Sequence, residues 1–240
     1  MKEIKEFKCR ASAMGVLMTN GRGKDAGMGE TAKSYLKEWF ISQITGKSKD
    51  IESKYFDHGN FAEKAVLKRA SNYYGFNFVK NEEHLENDFF TGTFDSKSDE
   101  IVIDAKAPYD VFTFPYFDEH PPKGYYEQLQ VYMALTGFKK AALVYGLENH
   151  SKDEIERLSW KLAKKEAKEL GLDEFEPEMK HWNEAERLLT FDYLPDNLRI
   201  RTFEFDRNDE LIEKMQERVI EAREYINEVL TPQFETNFKL

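Results

Sequence analysis

The sequence predicts an α/β (α+β) domain followed by a mostly helical C-terminal extension. Three observations predict it. Apolar residues recur at helical spacing over 32–44 and 60–74, then alternate over 76–107, so the period changes from 3.6 to 2 within one stretch. An almost wholly apolar helical segment at 125–135 precedes a further strand at 141–146. Residues 151–240 return to charged amphipathic patterns.

Taken in order, glycines at 21, 23, 27 and 29 mark a loop. Ala32, Tyr35, Leu36, Trp39 and Ile44 then define the face of a helix that Gly46 stops. A second helix is expected over 60–74, ended by Gly75. Residues 76–79 alternate, 89–95 read as a strand, 96–99 as a turn and 100–107 as the partner strand. Pro108 closes that strand because it cannot donate to a ladder. A loop rich in aromatic residues and proline spans 109–124 before the buried helix. Beyond the 141–146 strand, the sequence predicts a charged helix at 152–170, a strand at 198–205 and a long amphipathic helix at 209–230. The expected division is a core at 1–150 and an extension at 151–240 packed on it, with no linker between them.

Of the 240 residues, 40% are hydrophobic and 14% aromatic, enough for a core. The longest apolar run, 141–145, falls far short of the roughly 20 residues needed to cross a bilayer. Charges alternate near the N-terminus without an apolar signal segment, so a soluble, cytoplasmic protein with no membrane partner is expected. For a phage-encoded chain that place is the host cytoplasm. A single cysteine, Cys9, excludes an internal disulfide and cysteine-built metal clusters. The net charge of −10 speaks against a generic nucleic-acid coat, yet it is uneven: +5 over 1–49, −7 over 50–150 and −8 over 151–240. Base in front of acid suits an enzyme that binds a metal and a polyanion; uneven solvated faces account for it equally well.

The densest chemistry lies at Gly92-Thr93-Phe94-Asp95 and Asp104-Ala105-Lys106. Residues i and i+2 of a strand share a face, so Asp104 and Lys106 point together while Ile101, Ile103 and Ala105 point away. Asp95 at the end of the neighbouring strand reaches toward Asp104. Two converging carboxylates make a hard-oxygen site for Mg²⁺ or Mn²⁺, beside a lysine that can hold water or offset phosphoryl charge. An exposed hairpin with an Asp–Lys pair is the plainer alternative. Glu63 lies on the face of Val66, Leu67, Ala70 and Tyr74, where a carboxylate needs a cation, a donor or a solvent channel; a later helix start would instead leave it solvated. Gln128 shares a face with Tyr125, Val131, Tyr132 and Leu135; it holds a water or phosphate, or is a satisfied core amide. His58 and His120 lack ligand spacing and read as surface or hydrogen-bonded residues.

This ordered set, Glu63, Gly92-Thr93-Phe94-Asp95, Asp104-Ala105-Lys106 and Gln128-Leu129-Gln130, resembles the PD-(D/E)XK nuclease superfamily. It is most similar to the YqaJ-like viral recombinases, the lambda-exonuclease-like family. Arg10-Ala11-Ser12, Ala32-Lys33-Ser34-Tyr35-Leu36, Thr45-Gly46 and the run from Tyr125 to Met133 extend the likeness over 7–146. The second acid is Asp104 where many members have Glu, and the charged helix at 152–170 looks like an insertion.

The resemblance implies a restriction-endonuclease-like core: a mixed central sheet flanked by helices. It implies a Mg²⁺-dependent deoxyribonuclease, with Mn²⁺ as substitute, that digests linear double-stranded DNA from 5′ ends for recombination by strand annealing. Asp95, Asp104 and the Ala105 carbonyl would ligate metal, and Glu63 would serve a second ion or its water. Lys106 would orient or deprotonate the attacking water, with Gln128 in support. Ser12 would grip a terminal 5′-phosphate, with Arg10, Lys5 or Lys8 as cationic partners; its plainer role is a helix N-cap. A homo-oligomer, such as a trimer, and a single-strand annealing protein are the implied partners. The alternatives are a RecB-like or restriction-type endonuclease and a catalytically silent DNA-binding scaffold. A glycosidase acid pair is a poor reading, because adjacent strands set the acids too close for inversion and leave Lys106 idle.

Overall fold

A computed structural model of the chain describes residues 4–23, 27–47 and 54–238. Strand β1 (Cys9–Arg10) runs through a single 3-10 turn (Ala11–Ala13) into the one-turn helix α1 (Met14–Leu17). Helix α2 (Glu30–Thr45) buries Ala32, Leu36 and Phe40 and stops at Gly46, whose φ of 70° lets its N–H bond back to Ser42. Helix α3 (Lys54–Tyr74) begins before the expected residue 60, and Glu63 therefore lies well inside it. Residues 48–53 fall outside the described set.

The expected strand over 89–95 is two pieces in two sheets. Strands β2 (Leu85–Glu86) and β3 (Phe90–Gly92) form a small sheet of order β1-β3-β2, with β1 parallel and β2 antiparallel to β3. The ladder stops at Gly92, where a Cβ would lie 3.0 Å from Ala11 Cβ and 3.1 Å from the Tyr132 ring. Over the next residues Asn81 takes the place of a neighbouring strand: its side chain donates to Phe94 O at 3.0 Å and its N–H to Asp95 O at 2.7 Å. Strand β4 (Ser96–Lys97) then opens a second sheet, so the expected turn at 96–99 begins as a strand and the reversal comes at Ser98, whose N–H bonds to Ile101 O. Residues 76–79 are extended without joining a ladder.

Strand β5 (Val102–Lys106) pairs antiparallel with β4 and leads through helix α4 (Tyr125–Thr136) to strand β6 (Lys140–Gly146), which lies parallel to it. Helices α5 (Lys152–Leu170) and α6 (Met179–Leu189) follow, then strand β7 (Ile200–Asp206), antiparallel to β6. The sheet order is β4-β5-β6-β7. Helix α7 (Asp209–Tyr225) continues through a π segment (Ile226–Leu230) into helix α8 (Thr231–Phe238). The wider turn comes just before Pro232, which has no N–H to give an α-helical bond.

The four-stranded sheet separates two cores. On one face Ile101, Ile103, Ala142 and Val144 meet Val66, Leu67 and Ala70 of α3. On the other, Val102, Leu143 and Tyr145 belong to the larger core with Leu129 and Met133 of α4 and Met215 and Val219 of α7. Alternation along β5 therefore gives Ile103 to α3 and Asp104 to α4. Helix α4 meets α1 backbone to backbone: a Cβ on Gly15 would fall 2.3 Å from Gly124 Cα, and Gly124 itself has φ of 98°. No helix among the described residues is long and apolar enough to cross a membrane.

Candidate active site

The β4–β5 register opposes Ser96 to Ile103, which sets Asp95 opposite Asp104 just beyond the last paired residues of β4. Asp95 Oδ2 accepts the Ala105 N–H at 2.6 Å, pinning this carboxylate to β5. Asp104 is 2% exposed, and its Oδ1 accepts a 2.9 Å hydrogen bond from Gln128 Nε2. The same amide nitrogen lies 2.8 Å from the Tyr132 hydroxyl, which is 3.5 Å from Asp104 Oδ1. Asp104 Oδ2 is buried without a hydrogen bond of good geometry; it forms an ion pair with the Lys106 ammonium. Lys106 Nζ sits 5.4 Å over the Tyr125 ring, within cation–π range.

Electrostatics follow from this crowding. Burial, and then the charge of Asp104, push the Asp95 carboxyl up to about 7, with a further contribution from Glu63. Burial acts to lower Lys106, but Asp104 and Asp95 outweigh it and hold the ammonium above its ordinary range. Glu63 is half-buried and ion-paired with Lys80 at 2.8 Å. Lys80 is a residue the sequence reading passed over. It stands in an extended segment with no strand or helix pattern to assign its direction.

Asp104 is thus in contact with both Lys106 and Gln128, and Asp95, held on the Ala105 N–H, and Glu63 lie within electrostatic reach. The two glutamines of 128–130 divide. Gln130 is fully buried and structural, donating to Asp206 O at 2.9 Å and accepting from Asn208 N–H at 2.8 Å, which ties α4 to the β7–α7 junction. Beside the carboxylates opens a cleft of about 1340 Å³ lined by Ser12, Lys106, His120, Lys123, Tyr125 and Gln128, among others. Ser12 is exposed there, in the 3-10 turn; the N-cap position of that turn is Arg10, which does not line the cleft. Lys8 is engaged with Glu86 at 3.2 Å. In the 109–124 loop Phe114 is buried, whereas Phe112 and Phe117 are 92% and 97% exposed. His120 is exposed as expected, but His58 is fully buried, which removes the surface half of its reading as a surface or hydrogen-bonded residue.

The two mixed sheets and their flanking helices match a PD-(D/E)XK exonuclease-like fold. The chain shares it with a phage-related exonuclease from Haemophilus somnus 129PT: TM-score 0.76, 24% identity, 95% of this chain and 97% of that one. It shares it also with an alkaline exonuclease (LHK-Exo) from Laribacter hongkongensis: TM-score 0.64, 16% identity, 97% and 94% of the two chains. A structure of LHK-Exo in complex with dAMP aligns similarly, at TM-score 0.63 and 18% identity. At these identities the likeness is one of fold. No protein-family model and no curated protein sequence matches the chain.

Proposed function

We propose that this chain is a Mg²⁺-dependent exonuclease that hydrolyses linear double-stranded DNA from 5′ ends to support recombination by strand annealing. The observation that carries the reading is the clustering of Asp95 and Asp104 with Lys106 and Gln128, the last two of which line an open cleft. A divalent cation fits these residues. Asp104 Oδ2 is buried with the Lys106 ammonium as its partner, and the Asp95 carboxyl is still driven toward neutrality by burial and its neighbour, a surplus of negative potential that a further cation relieves. The donors are all oxygen, from Asp95, Asp104, the Ala105 carbonyl and Glu63, as suits Mg²⁺ or Mn²⁺. When bound, the ion supplies Lewis-acid stabilisation of charge developing on the phosphoryl group.

The chain's own groups do the rest. Lys106, held protonated, serves as a hydrogen-bond donor and positive charge for a phosphate oxygen or the attacking water, and is a poor base in this state. Gln128 locks the Asp104 carboxylate by holding Oδ1 through its amide, which leaves Oδ2 to Lys106. Ser12 on the same cleft offers a hydroxyl to a terminal phosphate, and Lys123 is nearer to hand as its counter-charge than Arg10. Residues 1–150 hold the chemistry in this reading, and 151–240 pack upon them. Homo-oligomerisation around DNA and a strand-annealing partner are carried over from the family resemblance alone.

The test is a gel assay on linear duplex DNA, with and without a 5′-phosphate, in Mg²⁺ or EDTA, against closed circular duplex. Degradation of the linear substrate only, dependent on Mg²⁺ and lost in Lys106→Ala, is the expected result. Cutting of closed circles by pure protein would turn the assignment to an endonuclease. DNA binding without degradation would turn it to a silent scaffold.

A further inference from the structure

Away from this centre, His58 meets the neighbouring pair His150 and Glu154 in the interior. His58 is on α3, His150 follows β6, and Glu154 lies in the first turn of α5; they are 0%, 5% and 7% exposed, respectively. The imidazole rings stack, with centroids 3.7 Å apart and planes 12° apart. Both Nδ1 atoms face the one carboxylate: His150 Nδ1 is 3.1 Å from Glu154 Oε1, and His58 Nδ1 is 3.7 Å from Oε2.

With both imidazoles neutral, the protons at this cluster do not balance. His150 Nε2 lies 2.6 Å from the Tyr109 carbonyl, which only accepts, so Nε2 carries the hydrogen. A neutral His150 then turns an Nδ1 lone pair toward a carboxylate oxygen, two acceptors face to face. His58 leaves both ring nitrogens without a hydrogen bond of good geometry, and His150 Nδ1 is likewise unsatisfied. Such groups are costly to bury. A proton on His150 Nδ1 would answer the carboxylate but would place an imidazolium against its stacked neighbour, whereas a metal ion answers both rings and the carboxylate at once.

The remaining atoms are already held. Glu154 Oε2 accepts from Ser151 N–H and Oγ, both at 3.0 Å, as part of the α5 capping box, leaving Oε1 free to turn to an ion. His150 has its outer nitrogen fixed on a backbone carbonyl, the usual orientation of a ligating imidazole. One donor atom from each of the three residues falls within 4.8 Å of the others. Donors around tetrahedral zinc lie about 3.3 Å apart, given bonds of about 2.0–2.1 Å, so loading draws the three atoms together and tilts the stacked rings until their in-plane lone pairs meet on the ion.

We propose that His58, His150 and Glu154 form a second metal site, built for a four-coordinate transition ion of the zinc type with a water in the fourth position. Its N,N,O donor set differs from the all-oxygen set at Asp95 and Asp104, and Mg²⁺ does not compete well for it. The ion fastens the start of α5 to α3 and to the backbone just beyond β5. It thereby gives the charged helical insertion a structural attachment next to the loop that follows Lys106.

Cobalt is the probe. The full-length chain, stripped with chelator, would be titrated with Co²⁺ in excess Mg²⁺, which loads the all-oxygen centre. Uptake of one Co²⁺ per chain is expected, with the intense visible absorption of four-coordinate cobalt, removed by added Zn²⁺. Asp104→Asn keeps the band and His150→Ala loses it, with circular dichroism reporting whether each variant is folded. The wild-type spectrum decides the matter even where a variant fails to fold. Absence of the band overturns the proposal, as does a band that survives in folded His150→Ala or disappears in folded Asp104→Asn.

Discussion

Raising the pH in the absence of metal destabilises this fold, and the Asp95 carboxyl sets the size of the effect. In the open chain the group titrates at 3.8, in the folded one at about 7. Below 3.8 both states hold the proton and the group contributes nothing. Between 3.8 and 7 the unfolded chain releases it while the native one retains it, so stability falls as pH rises through this window and levels off above it. At about 1.4 kcal/mol per tenfold change in proton affinity, and discounting for partial exposure, the loss is on the order of 2–4 kcal/mol. For a chain of this size that corresponds to about 5–15 °C in melting temperature. Urea denaturation at pH 5, 6, 7 and 8 in EDTA measures it, and the same series on Asp95→Asn isolates it from other titrating groups. The difference between the two proteins should fall steadily from pH 5 to pH 7, and Mg²⁺ should restore most of the loss. Parallel curves for the two proteins in EDTA would refute the electrostatic account of the site.

Four further outcomes follow from contacts described above. Lys106→Ala should lower hydrolysis by about 10²–10⁴-fold, and in EDTA should also lower stability, because two neighbouring carboxylates lose their cation; comparing turnover and urea midpoints with and without Mg²⁺ checks both. Gln130→Ala should cost about 1–3 kcal/mol by stranding Asn208 N–H and Asp206 O, while turnover per folded molecule stays near wild type. Gly15→Ala should cost about 3 kcal/mol, since its Cβ meets the Gly124 backbone, which cannot yield as a flexible side chain would. Phe112→Ala with Phe117→Ala should leave the melting temperature within about 2 °C of wild type, as both rings are almost fully exposed.

Much of this arrangement is legible in the sequence because it is local. Gly46 and Gly75 end α2 and α3 where positive φ is needed, and alternation along β5 puts Ile103 and Asp104 on opposite faces. The charged helix at 152–170 matches α5 in both bounds. Helix α6 was illegible as a helix amid acidic residues and Pro177, although His181, Ala185 and Leu189 bury one stripe at i, i+4 and i+8. The split of 89–95 between two sheets depends on Asn81, a tertiary contact with no pattern of its own. Of the site, Asp95, Asp104 and Lys106 could be placed by strand geometry. The meeting of Gln128 with Asp104 rests on how α4 lies against the sheet, and that of Glu63 with Lys80 on a loop. In the His58–His150–Glu154 cluster the pair His150 and Glu154 is local, four residues apart, and only the arrival of His58 from α3 is a product of topology.

The passage from one sheet to the other between Gly92 and Ser96 has a mechanical consequence. Asp95 belongs to neither ladder: it stands on the span joining them, held to β5 by one backbone N–H, while the turn bearing Ser12 hangs from the small sheet. The small sheet is only two or three residues deep, and little backbone bonding resists its parting. On heating, the geometry of the acid pair should therefore dissolve with the small sheet while the β5–β6–β7 ladder is still intact. Activity would then vanish at a lower temperature than far-ultraviolet ellipticity, making the acid pair a gauge of how firmly the two sheets are joined.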